Sequence, residues 1–80
     1  MTVRVLLFAW LAEQAGAREV DLDLPEGSTV QDAVREASRR LSVALDPRGF
    51  AVAVNERYSD LGAPVREGDT VALIPPVSGG

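Results

Sequence analysis

One stretch of the chain decides its fold, and it reads Thr70-Val71-Ala72-Leu73-Ile74-Pro75-Pro76. Its first five residues are almost all apolar, which is typical of a strand buried within a sheet. The two prolines end that strand, because proline has no amide hydrogen to donate to the sheet ladder. Residues 2–10 form the other strongly apolar strand and begin with alternating residue types. We therefore predict that the first and last strands lie side by side, parallel to each other, in the middle of a sheet.

Two segments between these strands predict helices. Leu11 to Ala15 is rich in helix-forming residues and stops at Gly16, which suits a short helix with a glycine just past its end. A hydroxyl group at Ser28-Thr29 can cap the first turn of the main helix. That helix presents an apolar stripe that covers one face of the sheet. The stripe consists of Val30, Ala33, Val34, Ala37 and Leu41.

Shorter segments predict the remaining strands. Residues 19–24 alternate acidic with apolar side chains, which indicates an edge strand paired with the first strand. Residues 50–54 and 57–59 are short strands joined by a tight turn at Asn55-Glu56. This order predicts an α+β fold, a ubiquitin-like β-grasp in which a mixed sheet of four to five strands packs on one main helix. Residues 1–80 form a single domain, because a chain this short cannot divide its apolar residues between two cores.

The composition excludes several classes of function. The chain has no cysteine, histidine or lysine, so it lacks thiolate nucleophiles, the commonest neutral-pH acid and base, and any lysine that could accept an acyl group. Its net charge of −4 argues against a nucleic-acid partner, which requires a basic face, and favours a basic protein partner. There is neither a signal-peptide pattern nor an apolar run near the ~20 residues of a membrane span. We expect a cytoplasmic protein that does not associate with membranes.

The segment after the last strand predicts the reactive group. We expect residues 74–80 to project from the body, stiffened by the prolines and ending in a flexible Gly79-Gly80. Six extended residues reach about 20 Å, which is enough to enter the active site of a partner. Glycines pass a narrow channel because they have no Cβ atom. The alternative is that the paired glycines are an ordinary chain end without a function.

Motifs along the whole chain match those of a known family. They are Val3-Arg4-Val5-Leu6-Leu7-Phe8-Ala9, Leu11-Ala12-Glu13, Gly16, Thr29-Val30, Val52-Ala53-Val54-Asn55, Leu61, Pro64-Val65, Gly68-Asp69, Val71-Ala72 and Pro75-Pro76-Val77-Ser78-Gly79-Gly80. With these motifs the chain resembles the small subunit of molybdopterin synthase. The Pro-Pro-Val-Ser-Gly-Gly ending is the most particular of them, whereas residues 38–49 contribute nothing to the resemblance.

The resemblance implies a mechanism in which the chain end is the reagent. A ubiquitin-activating-type adenylyltransferase uses ATP to adenylate Gly80, and a sulfurtransferase system converts it to a thiocarboxylate. The tail, with Gly79, then enters the large subunit of the synthase and delivers sulfur to cyclic pyranopterin monophosphate, which forms the dithiolene of molybdopterin. The family complex is a heterotetramer. The resemblance implies that the carrier is a sulfur-donor subunit without catalytic side chains, and that it binds no metal, nucleotide or other cofactor itself.

Strand alternation predicts where a partner docks. We expect the core-facing residues of the two central strands to be Val5, Leu7, Val71 and Leu73. Phe8 and Ile74 then have the opposite parity and face outward beside each other, with Tyr58 nearby. An exposed apolar patch beside a projecting tail is typical of a docking surface. We predict partner contacts at Phe8, Tyr58, Ile74, Pro75, Pro76, Val77 and Ser78. The alternative is that the outward apolar residues belong to a second minor core.

Other residues suggest sites that we interpret as structural. Trp10, at the end of the first strand, is interpreted as a cap on the core. Glu19, Asp21 and Asp23 could suggest a metal site, but their alternation places them on a solvated edge where charge discourages strand aggregation.

Two rival functions stay open. One is a sulfur carrier for thiamine synthesis or tRNA thiolation, which the Pro-Pro-Val-Ser sequence disfavours. The other is a ubiquitin-like interaction module or protein modifier without sulfur chemistry.

Overall fold

Alternating apolar residues form the strands of this protein, and the apolar stripe of a helix packs on one face of the sheet. A computed structural model describes residues 1–76. The described part contains five strands, two α-helices and one short 3-10 helix at Pro47–Gly49. In chain order the elements are β1 (Thr2–Leu7), α1 (Ala9–Ala15), β2 (Glu19–Asp23), α2 (Val30–Leu41), β3 (Ala51–Val54), β4 (Arg57–Ser59) and β5 (Thr70–Ile74).

The strands form one mixed sheet with the order β2-β1-β5-β3-β4. β1 and β5 are parallel neighbours, as the sequence predicts, and the register pairs Leu7 with Leu73. The other neighbouring pairs are antiparallel, and β2 lies at one edge of the sheet beside β1. The predicted α+β fold, a β-grasp with five strands, is confirmed.

The core lies between the sheet and α2. The inward side chains of β1 and β5 are buried, with Val5, Val71 and Leu73 at 0% exposure. Four of the five predicted stripe residues of α2 are buried as well, and Leu41 packs against the core from the end of the helix. These fully buried branched side chains remove apolar area from water at about 25 cal/mol per Å², which makes them the main stabilising feature of the body.

A capping box fixes the start of α2, as the sequence predicts. The Thr29 hydroxyl oxygen accepts a hydrogen bond from the Asp32 amide at 3.3 Å, and the Asp32 carboxylate accepts one from the Thr29 amide at 2.9 Å. Two amide groups at the start of the helix thus gain partners. The hydrogen bond from the Thr29 amide is the main cause that lowers the pKa of the Asp32 carboxyl.

The start of α1 corrects the predicted end of the first strand. β1 ends at Leu7, and α1 begins at Ala9, two residues before the predicted start. Phe8 therefore lies at the helix N-cap rather than on a central strand. The predicted end of α1 is confirmed, because Gly16 has a φ of 70° there and its amide donates to the Ala12 carbonyl oxygen.

The same change explains why the interpretation of Trp10 is wrong. Trp10 lies in the first turn of α1 and is 45% exposed, so it does not cap the core. Among residues 1–76, none of the helices has the length and apolar character needed to cross a membrane.

Candidate functional site

A groove lies on the face of the sheet opposite α2, and we call it the sheet-face groove. It encloses about 790 Å³ and contacts β1, β3, β4 and β5 as well as the first residues of the segment after β5. Its floor is formed by small or half-buried side chains, and its exposed walls by aromatic ones. The site is therefore an apolar depression at the point where the chain leaves the sheet.

The register of the sheet produces the floor. Leu6 pairs with Ala72 across the parallel strands, and Ala72 pairs with Ala53 across the antiparallel ones. Residues directly paired in a sheet point to the same face, so these three side chains form a row. Ala53 is only 5% exposed although it lies on the outer face, because larger neighbours surround it. Because the side chains of Ala53 and Ala72 are small, they leave a depression at the centre of this face.

Larger side chains form the walls of the groove. Tyr58 pairs with Ala53 and is 78% exposed, which makes it the most exposed large apolar residue of the described part. Phe8 is 46% exposed and also lines a second depression beside α1. Ile74, the last residue of β5, is half-buried and also lines the groove. The structure thus brings Phe8, Tyr58 and Ile74 together around one groove, and their role in binding stays a prediction.

The two prolines that follow β5 differ in exposure. Pro75 is buried and lines the groove, whereas Pro76 is exposed. The predicted projection from residue 74 is wrong at its first two positions, because Ile74 still pairs with Ala51 and Pro75 packs against the sheet face. Val77, Ser78, Gly79 and Gly80 lie outside the described residues, and the predictions for them are untested.

The polar groups at the rim have specific partners. The Asn55 side-chain amide donates to the Asp69 carboxylate at 2.9 Å, and its carbonyl oxygen accepts from the Thr70 amide at 2.9 Å. These bonds hold the turn between β3 and β4 against the start of β5. Glu56, the next residue, is the one charged side chain among those that line the groove.

Beside the groove, an exposed ion pair crosses β1 and β2. The Arg4 guanidinium donates to the Asp21 carboxylate at 2.8 Å, and this hydrogen bond is the main cause that lowers the pKa of Asp21. Glu19 lies near the same guanidinium at 3.6 Å. Exposed pairs of this kind contribute little to stability. Glu19, Asp21 and Asp23 are all exposed on the edge strand β2. Residues 1–76 contain no group of three or more His, Cys, Asp or Glu side chains close enough to hold a metal ion.

Comparison with known proteins identifies the family. Residues 5–80 match the ThiS family. The chain belongs to the ThiS family. The match includes all five strands except the first residues of β1, both helices and the segment that follows β5.

Proteins with two different functional names are similar to this chain. The molybdopterin synthase sulfur carrier subunit of Arabidopsis thaliana is 38% identical over 79 residues, which cover 98% of this chain and 82% of that protein. The small archaeal modifier protein 1 of Haloferax volcanii is 40% identical over 84 residues, with 92% of this chain and 95% of the relative covered. The resemblance to molybdopterin synthase small subunits is confirmed.

Solved structures support the fold over the whole length. The crystal structure of SAMP1 from Haloferax volcanii superposes with a TM-score of 0.81 at 34% identity and covers 100% of both chains. The putative molybdopterin converting factor subunit 1 from Pyrococcus furiosus gives a TM-score of 0.79 at 30% identity, covering 96% of this chain and 99% of that one.

Sequence reasoning missed part of the groove. Alternation along β1 and β5 already places Leu6 and Ala72 on the same face as Ile74, so parity could have identified both. Ala53 required the pairing of β3 with β5, which no local pattern specifies. Glu56 was assigned only to a turn, and its place at the groove follows from the position of that turn beside β5.

Proposed function

We propose that this chain is the sulfur-carrier subunit of a molybdopterin synthase and that the carboxylate of Gly80 carries the sulfur. The observation that supports this most is the similarity to a molybdopterin synthase sulfur carrier subunit over 98% of the chain, within a family match that extends to residue 80. The absence of cysteine and histidine agrees with this proposal, because a reaction at the terminal carboxylate requires no side-chain nucleophile on the carrier.

The proposed reaction begins at an unreactive group. A carboxylate is ionised at neutral pH and is a poor acyl electrophile. An adenylyltransferase therefore joins it to the AMP part of ATP with loss of pyrophosphate. Sulfur at the oxidation level of sulfide, supplied by the sulfurtransferase system, then attacks the acyl-adenylate and forms a C–S bond as AMP leaves. The product is a thiocarboxylate, whose sulfur bonds to a carbon of cyclic pyranopterin monophosphate in place of an oxygen substituent. Water then hydrolyses the resulting thioester, which leaves the sulfur on the pterin and restores the carboxylate. ATP is bound by the activating enzyme and not by this chain.

The sheet-face groove has a defined part in this proposal. The large subunit of the synthase docks its own apolar side chains on Phe8, Tyr58 and Ile74. Pro75 is part of the same surface, so docking fixes the start of the segment that leads to Gly80. Four further residues at ~3.3 Å each give a maximum reach of about 13 Å beyond Pro76. The reacting carbon of the pterin must then lie within that distance of Pro76.

Reconstitution tests the proposal directly. The thiocarboxylate form of the protein is mixed with the large synthase subunit and cyclic pyranopterin monophosphate, and dithiolene formation is measured. We expect two molecules of the carrier in its thiocarboxylate form to be consumed for each dithiolene, as in a heterotetramer built on a dimer of large subunits. A variant without Gly80 serves as the control. Sulfur transfer by that variant would contradict the proposal, and so would the absence of sulfur transfer by the thiocarboxylate form of the wild-type protein.

A second candidate function is that of a protein modifier, and the similarity to a small archaeal modifier protein at 40% identity favours it. Both functions require activation of Gly80, but they differ in the acceptor. A modifier forms an amide bond with an amine of another protein. A second copy of this chain offers no lysine side chain as the acceptor, because the sequence contains no lysine. Activation in a cell extract separates the two: covalent conjugates of higher mass indicate a modifier, and a free protein that has gained sulfur indicates a carrier.

A further inference from the structure

Unusual backbone geometry is concentrated at the sheet-face groove. Among residues 1–76, four residues other than glycine have a positive φ: Ala9, Ser42, Asn55 and Glu56. Ser42 ends α2, where a left-handed residue is common. The other three all line the groove. Backbone conformations of this kind are unfavourable for residues with a Cβ atom; they persist where the surrounding structure enforces them, and they cluster at functional sites.

Glu56 is the residue that local structure explains least. It is the second residue of the two-residue turn between β3 and β4, where φ is 50° at Asn55 and 71° at Glu56. A turn with two positive φ values favours asparagine followed by glycine. Asn55 follows this preference, and its side chain is used in two hydrogen bonds. Glu56 departs from it, and its carboxylate forms no ion pair or hydrogen bond with the rest of residues 1–76.

The electrostatic position of Glu56 indicates what it could bind. It is exposed and is the one charged residue on an otherwise apolar or neutral groove lining. The chain as a whole carries a net charge of −4, which disfavours a second copy of itself as the occupant. A partner surface that covers the groove would place one of its side chains against this carboxylate, and a cation there is the complementary choice.

We propose that Glu56 is a partner-specificity residue, which pairs with an arginine or lysine of the protein that docks in the sheet-face groove. This inference rests on the proposed function, in which that partner is the large synthase subunit. Glycine would give a more favourable turn, whereas glutamate supplies a carboxylate that orients the docked partner. Affinity and stability are then expected to respond in opposite directions to the same substitution.

Three variants test the inference in the full-length protein. Glu56→Gln keeps the side-chain size and the backbone geometry but removes the charge. Glu56→Gly removes the charge and also relieves the turn. Glu26→Gln removes one charge at an exposed position that does not line the groove, and therefore controls for net charge. Affinity for the large subunit is measured by titration calorimetry at low and high salt, and stability by thermal unfolding.

We expect Glu56→Gln to weaken binding about fivefold at low salt, to reduce the salt dependence of the affinity, and to leave the melting temperature unchanged. Glu56→Gly is expected to weaken binding similarly while raising the melting temperature by about 4 °C. Glu26→Gln is expected to bind as the wild-type protein does.

Three results would overturn the inference. The first is wild-type affinity and salt dependence in Glu56→Gln, and the second is an equal loss in Glu26→Gln. The third is a lower melting temperature in Glu56→Gly, which would show that glutamate is kept for stability. No measurable binding of the wild-type protein would instead contradict the proposed function, and this inference with it.

Discussion

Replacing Tyr58 by alanine tests whether the sheet-face groove is a docking surface. Tyr58 is 78% exposed and lies on β4, opposite the buried Ala53. Its side chain therefore contributes little to the core but presents a large apolar area to solvent. If a partner covers the groove, this area is removed from water only on binding.

The magnitude follows from that exposure. A tyrosine has about 200 Å² of surface, so 78% exposure leaves roughly 155 Å² to be covered, of which truncation to alanine removes about 100 Å². At about 25 cal/mol per Å² this is roughly 2.5 kcal/mol of binding free energy, or about 70-fold in Kd. The fraction that is already buried corresponds to only about 1 kcal/mol of folding free energy. Binding should thus fall much more than stability.

The assay measures both quantities on the same samples. Titration calorimetry with the large synthase subunit gives Kd, and urea unfolding gives the free energy of unfolding. Arg57→Ala is the matched control, because Arg57 is the preceding residue on β4 and its side chain points to the other face. Tyr58→Phe should bind within a few-fold of the wild-type protein. A change in Kd below about threefold for Tyr58→Ala, with stability preserved, would refute the role assigned to the groove.

Three further predictions concern the body that presents this surface. Thr29→Ala removes the cap of α2 and should lower the free energy of unfolding by about 1 kcal/mol in urea, whereas Thr29→Ser should retain most of it. The pKa of Asp32 is lower in the folded protein, chiefly because of the Thr29 amide, so its contribution to stability is present above the unfolded pKa and is lost as the pH falls through the folded one. Asp32→Asn should therefore flatten the acid side of the stability profile, and parallel profiles would contradict this assignment. Leu73→Ala creates a cavity at a fully buried site and should cost about 3 kcal/mol, and a cost below about 1 kcal/mol would show that the site is not tightly packed.

Much of the fold could be predicted because local pattern and long-range packing agree. Residues 70–74 are both an apolar run and the last strand before two prolines, and the structure places β5 at those residues. The capping box of α2 likewise depends on Thr29 and Asp32, which are only three positions apart in the sequence and in contact in the fold. Where neighbouring residues alone determine a boundary, the sequence predicts it well.

The errors arise where tertiary contacts determine the outcome. The boundary between β1 and α1 lies at Ala9, whose positive φ breaks the strand without a glycine or proline to signal it. Phe8 and Trp10 were therefore assigned to a strand that had already ended. The position of Pro75 also depends on packing against the sheet face rather than on its own conformational limits.

The candidate site divides in the same way. Parity along single strands was enough to place Ile74 on the outer face, and Phe8 reaches the same groove although it lies beyond the strand. The groove itself exists because two alanines, Ala53 and Ala72, meet across β3 and β5. Their pairing depends on the strand order of the whole sheet, which only the three-dimensional structure provides.

The masses of the protein's fragments after activation test the central claim most directly. The protein is incubated with its adenylyltransferase, ATP and a sulfur donor, then digested and weighed. We predict a gain equal to the difference between a sulfur and an oxygen atom, located in the fragment that contains Gly80 and absent from a variant that lacks it. A gain in any other fragment, or the same gain in that variant, would show that sulfur is not carried on the carboxylate of Gly80.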